Sequence, residues 1–280
     1  MKLVSYQAAE RQSWGVLLDS GIVEGQEILS GKYRSVREVL QAGAIADVGN
    51  ACRGMRPKYH LQDVQLLPPI PDPEKVLCIG LNYGAHAAEA GRQLPKEPSC
   101  FVRLANTLLA HDAEIIAPKV SECLDFEGEL AVIIGRAGRH ILPENALEYV
   151  GGYSCFNDVS VRDYQKHSVT AGKNFIGTAP FGPWIVTADE IADPAGLTLR
   201  TRLNGREVQC ASTGTMIYGI PQIIAYLSTI TPLAPGDIIA TGTPAGVGLG
   251  RTPPLWMQEG DLVQVDISGI GVLSNRVRKE

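Results

Sequence analysis

Paired cysteines, histidines, aromatic residues and long apolar runs are all scarce in this chain of 280 residues. Each scarcity excludes something. There are five histidines, no H-E-x-x-H and no Cys/His cluster, so a zinc site has no candidates and any metal would rest mainly on carboxylates. The six cysteines (52, 78, 100, 123, 155 and 210) contain no C-x-x-C pair, which predicts reduced, mostly buried thiols rather than a disulfide framework. No apolar run approaches the roughly 20 residues of a membrane span, and the opening Met1-Lys2-Leu3-Val4-Ser5 lacks a signal-peptide pattern. A soluble, cytoplasmic protein with no membrane partner is the expectation.

Excess charge is also missing. With 25 Lys+Arg against 30 Asp+Glu the net charge is −5, which gives no electrostatic case for nucleic acid. There is no G-x-S-x-G elbow and no P-loop. Gly246-Val247-Gly248-Leu249-Gly250 lacks the final spacing of a dinucleotide fingerprint and does not join a strand to a helix. Aromatics are only 6%, whereas glycine (30) and proline (18) are plentiful, which favours short strands and many turns over a helical bundle.

Along the chain, Leu3–Tyr6 and Trp14–Leu18 read as short strands, and Ser35 with Glu38 three residues on reads as a helix start. Four prolines between Leu67 and Pro73 predict an extended linker or covering strand, placed as the boundary between domains 1–70 and 71–280. Beyond it, strands are expected at Lys75–Gly80, Gly128–Gly135, Trp184–Val186, Leu197–Leu203 and Val263–Ile267. A modest helix is expected at His86–Gly91, an Asn204-Gly205 hairpin turn follows the Leu197–Leu203 strand, and a longer helix runs Ile220–Ile230 with Pro221 in its first turn. Strands without a regular β-α-β rhythm make this an α+β chain.

The chemistry concentrates in five segments. In Asp125-Phe126-Glu127-Gly128-Glu129-Leu130 the two glutamates are two apart and share one face of a strand. Like charges at the mouth of an apolar strand call for a neutralising cation, or else they are two solvated surface glutamates. Asp158, after the apolar stretch Tyr149–Phe156, offers a third carboxylate or an ordinary N-cap. Three carboxylates would form an oxygen-only shell suited to Mg²⁺ or Mn²⁺. Arg162 reads as a counter-charge or a salt bridge to Asp163 or Asp158. His86 and Glu89, three apart, would be neighbours on a helix, an arrangement that orients a general base or is only a surface contact. Thr241-Gly242-Thr243 could present hydroxyls and N–H groups to a carboxylate or be a plain turn, and Lys173 could face an oxyanion or be solvated.

These segments, in this order, resemble the fumarylacetoacetate hydrolase family from about Val76 to Val277. The motifs are Gly80-Leu81-Asn82-Tyr83 with His86 and Glu89, Asp125 to Leu130, Asn157-Asp158-Val159-Ser160 with Arg162-Asp163, Gly172-Lys173-Asn174-Phe175, Phe181-Gly182-Pro183-Trp184, Thr241-Gly242-Thr243-Pro244 and Gly260-Asp261. The resemblance implies a mixed β-sandwich roll, here with a small N-terminal α/β domain, assembled as a homodimer. It implies metal ligands at Glu127, Glu129 and Asp158, binding Mg²⁺ or Mn²⁺ with Ca²⁺ as an alternative. It implies catalytic roles for His86, Glu89 and Lys173, and substrate contacts from Gln165 and Thr243. Where many relatives read Phe-x-Lys-Pro, this chain reads Phe101-Val102-Arg103-Leu104, and the stretch from Gln165 to Lys173 is a few residues short. The implied reaction is hydrolysis of a C–C bond in a small 1,3-dicarbonyl acid, an acylpyruvate such as maleylpyruvate or fumarylpyruvate from aromatic-compound degradation. The alternatives are a lyase or isomerase acting on an oxo-acid, or a non-catalytic ligand-binding relative.

Overall fold

A computed structural model describes all 280 residues and shows two large packed sheets, a two-stranded ribbon of Leu124–Asp125 with Ser160–Val161, and few helices. The larger sheet has eleven strands. Its main path runs Gly21–Glu24, Arg11–Leu18, Lys2–Ala8, Ala179–Thr187, Val150–Asn157, Gly128–Ile134, Ile238–Ala240, Val76–Gly80 and Ser99–Arg103. Most neighbours are antiparallel, but Ile238–Ala240 runs parallel to Val76–Gly80, so the sheet is mixed. The second sheet has five strands, Arg206–Ser212, Thr198–Leu203, Leu262–Ile267, Gly271–Lys279 and Ile115–Ala117. This is the α+β roll expected from the sequence.

Gly128–Ile134 shows why the layers form. Every residue of this strand is buried, and alternate side chains enter different cores. Leu130, Val132 and Ile134 pack with Val265, Ile267 and the helix residues Ile223, Ile224 and Leu227. Ala131 and Ile133 point the other way, into a cluster with Trp14, Val39, Leu40 and Ile185. A strand covered on both faces must be apolar at every position, and this segment is so except at its mouth. That exception is where the glutamates sit.

Local signals hold closely. The helix Ile220–Ile230 starts with Pro221 in its first turn. Leu203 pairs with Arg206 across Asn204-Gly205, both at positive φ (52° and 79°), as a two-residue hairpin of the primed type requires. Ser35 accepts a hydrogen bond from Glu38 N–H at 3.1 Å, although the Glu38 carboxylate turns to Arg34 N–H instead of completing the box. The proline-rich stretch bends at residues 69–72 instead of running as an extended strand, and it covers the sheet, with Ile70 fully buried and Ser5 donating to Pro69 O at 2.8 Å. The strands before it continue the main sheet, Leu3 pairing with Ile185, so residues on both sides of the proline run share one core.

Two expectations need adjustment. The helix carrying His86 spans Gly84–Glu89, beginning two residues earlier than read from the sequence. All six cysteines are free, but only Cys52, Cys78 and Cys155 are buried; Cys100 and Cys210 lie exposed on edge strands. No helix is long and apolar enough to cross a membrane.

Candidate active site

Three of the expected residues come together at the mouth of Gly128–Ile134. One ligand oxygen from each of Glu127, Glu129 and Asp158 lies within 4.8 Å of the others, and all three side chains are buried. Strand pairing does this: Gly128 sits opposite Asn157, so the residues just outside that pair meet. Asp158 N–H donates to Glu127 O at 2.8 Å, and Glu127 N–H donates to Asn157 Oδ1 at 2.9 Å, locking the two chain ends together.

Lys173, 1% exposed, reaches the cluster from the short helix Val169–Lys173. Its ammonium lies 2.6 Å from Glu127 Oε2 and 2.5 Å from Asp158 Oδ2, and it also donates to Asp158 O at 2.8 Å. Arg162 is 2.6 Å from Glu127 Oε1 and 2.7 Å from Asp125 Oδ2. Its partners are therefore Asp125 and Glu127, in place of the Asp163 or Asp158 expected from sequence proximity. Arg103 pairs with Asp158 Oδ1 and donates to Thr178 O and Thr178 Oγ1 at 2.8 and 2.7 Å.

Four buried carboxylates, Asp125, Glu127, Glu129 and Asp158, thus face three side-chain cations, Arg103, Arg162 and Lys173. Glu129 is the one without a cation in contact; Gly242 N–H donates to its Oε2 at 2.8 Å. Gly242 has φ of +100°, and a Cβ there would fall 2.7 Å from Asn82 Cβ, so glycine is required for this donor to reach Glu129. Burial, with the charges of Asp158 and Glu127, pushes the Glu129 carboxyl well above the usual range. Burial acts on Glu127 in the same direction, but Lys173, Arg162 and His86 outweigh it and hold Glu127 down at about 2.

These residues fit a hard divalent cation: the donors are all oxygen, they converge, and one buried carboxylate lacks a cationic partner. The fit has a pH signature. With Glu129 raised, the metal-free native state keeps a proton that the unfolded chain gives up near pH 4.3, so this group costs stability as pH rises. A cation must displace that proton, so its binding strengthens with pH. At 100 times its dissociation constant Mn²⁺ should add about 2.7 kcal/mol, a melting-temperature rise of about 5 °C. The rise should be larger at pH 8 than at pH 6 in scanning calorimetry, with each sample at the same Mn²⁺ concentration; equal rises at both pH values would contradict this assignment.

His86 is 7% exposed, and its Nδ1 lies 3.2 Å from Glu89 Oε2. A carboxylate only accepts, so Nδ1 carries a proton; in the neutral ring, the form a base must take, Nε2 keeps its lone pair. Asn82 fixes the segment before this helix, donating to Thr241 O at 2.7 Å and to Tyr218 O at 3.0 Å. Gln165, half-buried, accepts from Arg162 Nη1 at 2.8 Å and so stands one side chain from Glu127. Thr243 is more committed than expected. Its hydroxyl donates to Gly128 O at 2.9 Å and accepts from Gln209 Nε2 at 2.9 Å, leaving only a lone pair or the backbone for a substrate.

Arg103, Asp125, Asn82 and Gln209 were not singled out as functional from the sequence. The signals for Arg103 are a lone charge between Phe101-Val102 and Leu104 and its place at the Lys of the Phe-x-Lys-Pro pattern; for Asp125 the signal is a carboxylate opening an otherwise apolar run.

A family model described as "Fumarylacetoacetate (FAA) hydrolase C-terminal" matches residues 75–278. The mitochondrial oxaloacetate tautomerase Fahd2a of Rattus norvegicus is 37% identical over 286 residues, covering 99% of this chain and 91% of that protein. Fumarylacetoacetate hydrolase from Exiguobacterium antarcticum superposes with a TM-score of 0.84 at 36% identity, covering 100% of both chains. Maleylpyruvate hydrolase from Sphingobium sp. SYK-6, in complex with manganese(II) and pyruvate, gives a TM-score of 0.83 at 29% identity, covering 100% of this chain and 99% of that one.

Proposed function

The chain belongs to the fumarylacetoacetate hydrolase family, a family of enzymes, and we propose that it interconverts the enol and keto forms of a small 2-oxo dicarboxylic acid such as oxaloacetate. The observation that carries this reading is the His86–Glu89 pair beside a buried three-carboxylate cluster. Proton transfer at a carbon next to a carbonyl needs an oriented base and a stabilised enolate, and the two features supply one each. The near full-length similarity to an oxaloacetate tautomerase favours the isomerase over the C–C hydrolase reading.

Glu127, Glu129 and Asp158 would hold Mg²⁺ or Mn²⁺, and the cation, when bound, supplies charge that stabilises the enolate oxygens of a 2-oxo acid. The Mn²⁺ and pyruvate of the Sphingobium structure support that choice. His86 Nε2 takes the proton from the enol oxygen, and the imidazolium is stabilised by Glu89. The same proton is then delivered to C3, so no atom is lost and the base is regenerated. Lys173 and Gln165 would stabilise the developing oxyanion, and Thr243 would contact the substrate through its remaining lone pair or its backbone.

The second reading is hydrolysis of an acylpyruvate, favoured by the likeness to maleylpyruvate hydrolase. There His86 would deprotonate a water that attacks the distal carbonyl, releasing an acid and pyruvate. Freshly dissolved enol-oxaloacetate and an acylpyruvate, each with Mn²⁺, separate the readings. Faster loss of the enol absorbance without CO₂ or new acid supports tautomerisation. Pyruvate plus an acid from the acylpyruvate supports hydrolysis, and CO₂ from oxaloacetate supports a decarboxylase.

We further propose a homodimer, supported by the exposed apolar side chains of Val102 on the outermost strand of the main sheet and Leu104 just after it, 47% and 55% exposed. The six free thiols support a reducing compartment, either the cytoplasm or one like that of the mitochondrial rat relative.

A further inference from the structure

The Gly246–Gly250 segment, discounted above as a nucleotide motif, packs against Glu89. Gly246 N–H donates to both carboxylate oxygens, at 3.0 and 3.1 Å. A Cβ at Gly250 would fall 2.3 Å from Glu89 Cδ and 2.4 Å from its Oε1. Gly250 is not among the glycines at positive φ, so space alone requires glycine there. The absent side chain is the room the carboxylate occupies.

The turn is anchored from its other side. Asp125, fully buried, accepts from Gly248 N–H at 2.7 Å and from Leu249 N–H at 3.0 Å. Arg162 Nε donates to Asp125 at 2.8 Å, tying the anchor to the carboxylate cluster. Arg251 folds back and donates to Val208 O and Gly246 O, both at 2.8 Å, which closes the turn. A continuous set of hydrogen bonds therefore runs from Glu127 through Arg162 and Asp125 to the turn, and from the turn to Glu89 and His86.

We propose that the Gly246–Gly250 turn, anchored by Asp125, is a positioning element for proton transfer: it holds the Glu89 carboxylate on His86 Nδ1 and so sets the imidazole tautomer. The proposal rests on the acid–base reading of His86 and Glu89. Glu89 is the last residue of a six-residue helix, where a long side chain has several open rotamers. The bracket of Gly246 N–H and bare Gly250 selects the one that meets His86. Gly246, Gly250 and Asp125 act through Glu89 and touch no substrate.

Gly250→Ala is the direct test, because the new methyl meets the flexible end of Glu89 rather than backbone. Turnover should fall about 10²-fold, the loss typical of a misplaced catalytic group, with KM and Mn²⁺ affinity unchanged. Ring-nitrogen NMR of His86 should show the Nδ1–H tautomer in the parent and its loss in Gly250→Ala. Added to Glu89→Gln, Gly250→Ala should cost nothing more, since both act through one carboxylate. Parent turnover with an unchanged tautomer overturns the proposal, as do additive losses in the double variant. If Gly250→Ala melts early, the tautomer measured in the folded protein at low temperature decides. Unchanged turnover in Glu89→Gln removes the acid–base reading itself, and the proposal with it.

Discussion

His86→Ala should lower turnover by about 10²–10⁴-fold, the range an oriented general base contributes, and leave Mn²⁺ binding intact. The two effects separate because His86 bonds Glu89, not the carboxylates that converge. Enol-oxaloacetate decay measures the first and calorimetric titration with Mn²⁺ the second. The buried ring leaves a cavity on truncation and so costs some stability, but its Glu89 partner keeps the Gly246 N–H and is not left unpaired. An alanine variant that turns over at the parental rate would remove the mechanism; one that no longer binds Mn²⁺ would place His86 among the ligands.

Lys173→Met should be strongly destabilising. Methionine keeps the apolar stem out to the ε position but deletes the ammonium that lies between Glu127 and Asp158. Breaking a buried ion pair by removing one partner costs about 3–5 kcal/mol, because the partner's desolvation is no longer offset. For a chain of this size that is a fall in melting temperature of about 6–10 °C in the metal-free protein. Arg162 and Arg103 remain on the two carboxylates, so complete unfolding is not expected. Mn²⁺ should raise the melting temperature more in the variant than in the parent, since a cation replaces part of the lost charge. An unchanged melting temperature in EDTA would show that Lys173 is not neutralising the cluster.

Much of the site was legible because its members are close in sequence or flank recognisable strands. Glu127 and Glu129 announce themselves by their two-residue spacing ahead of an apolar strand, and His86 and Glu89 by helical spacing. What was not legible involves long separations. Asp125 meets Gly248 across 123 residues, Gly246 meets Glu89 across 157, and Arg103 meets Asp158 across 55. Neither periodicity nor local turn chemistry carries information about such pairs. The Gly246–Gly250 run looks like an unsuccessful nucleotide motif for this reason: its meaning lies in which carboxylates it meets, and those lie on a distant helix, Glu89, and a distant strand, Asp125. Thr243 shows the converse. Its type and place suit a carboxylate ligand, yet Gly128 and Gln209 have already taken most of its hydrogen-bonding capacity.

The sequence by itself determined the α+β class, the strand that carries the site and the oxygen-only chemistry of its donors, because strand alternation and residue type are local properties. Only the tertiary structure decided the charge balance. Whether four carboxylates meet three cations, and which carboxylate lacks a cation in contact, depends on strand pairings that bring distant charges into one buried volume. In water such charges would barely sense each other; in a site with little solvent they set one another's protonation. That is why Glu127 and Glu129, two residues apart and nearly identical as sequence, are driven in opposite directions by the fold.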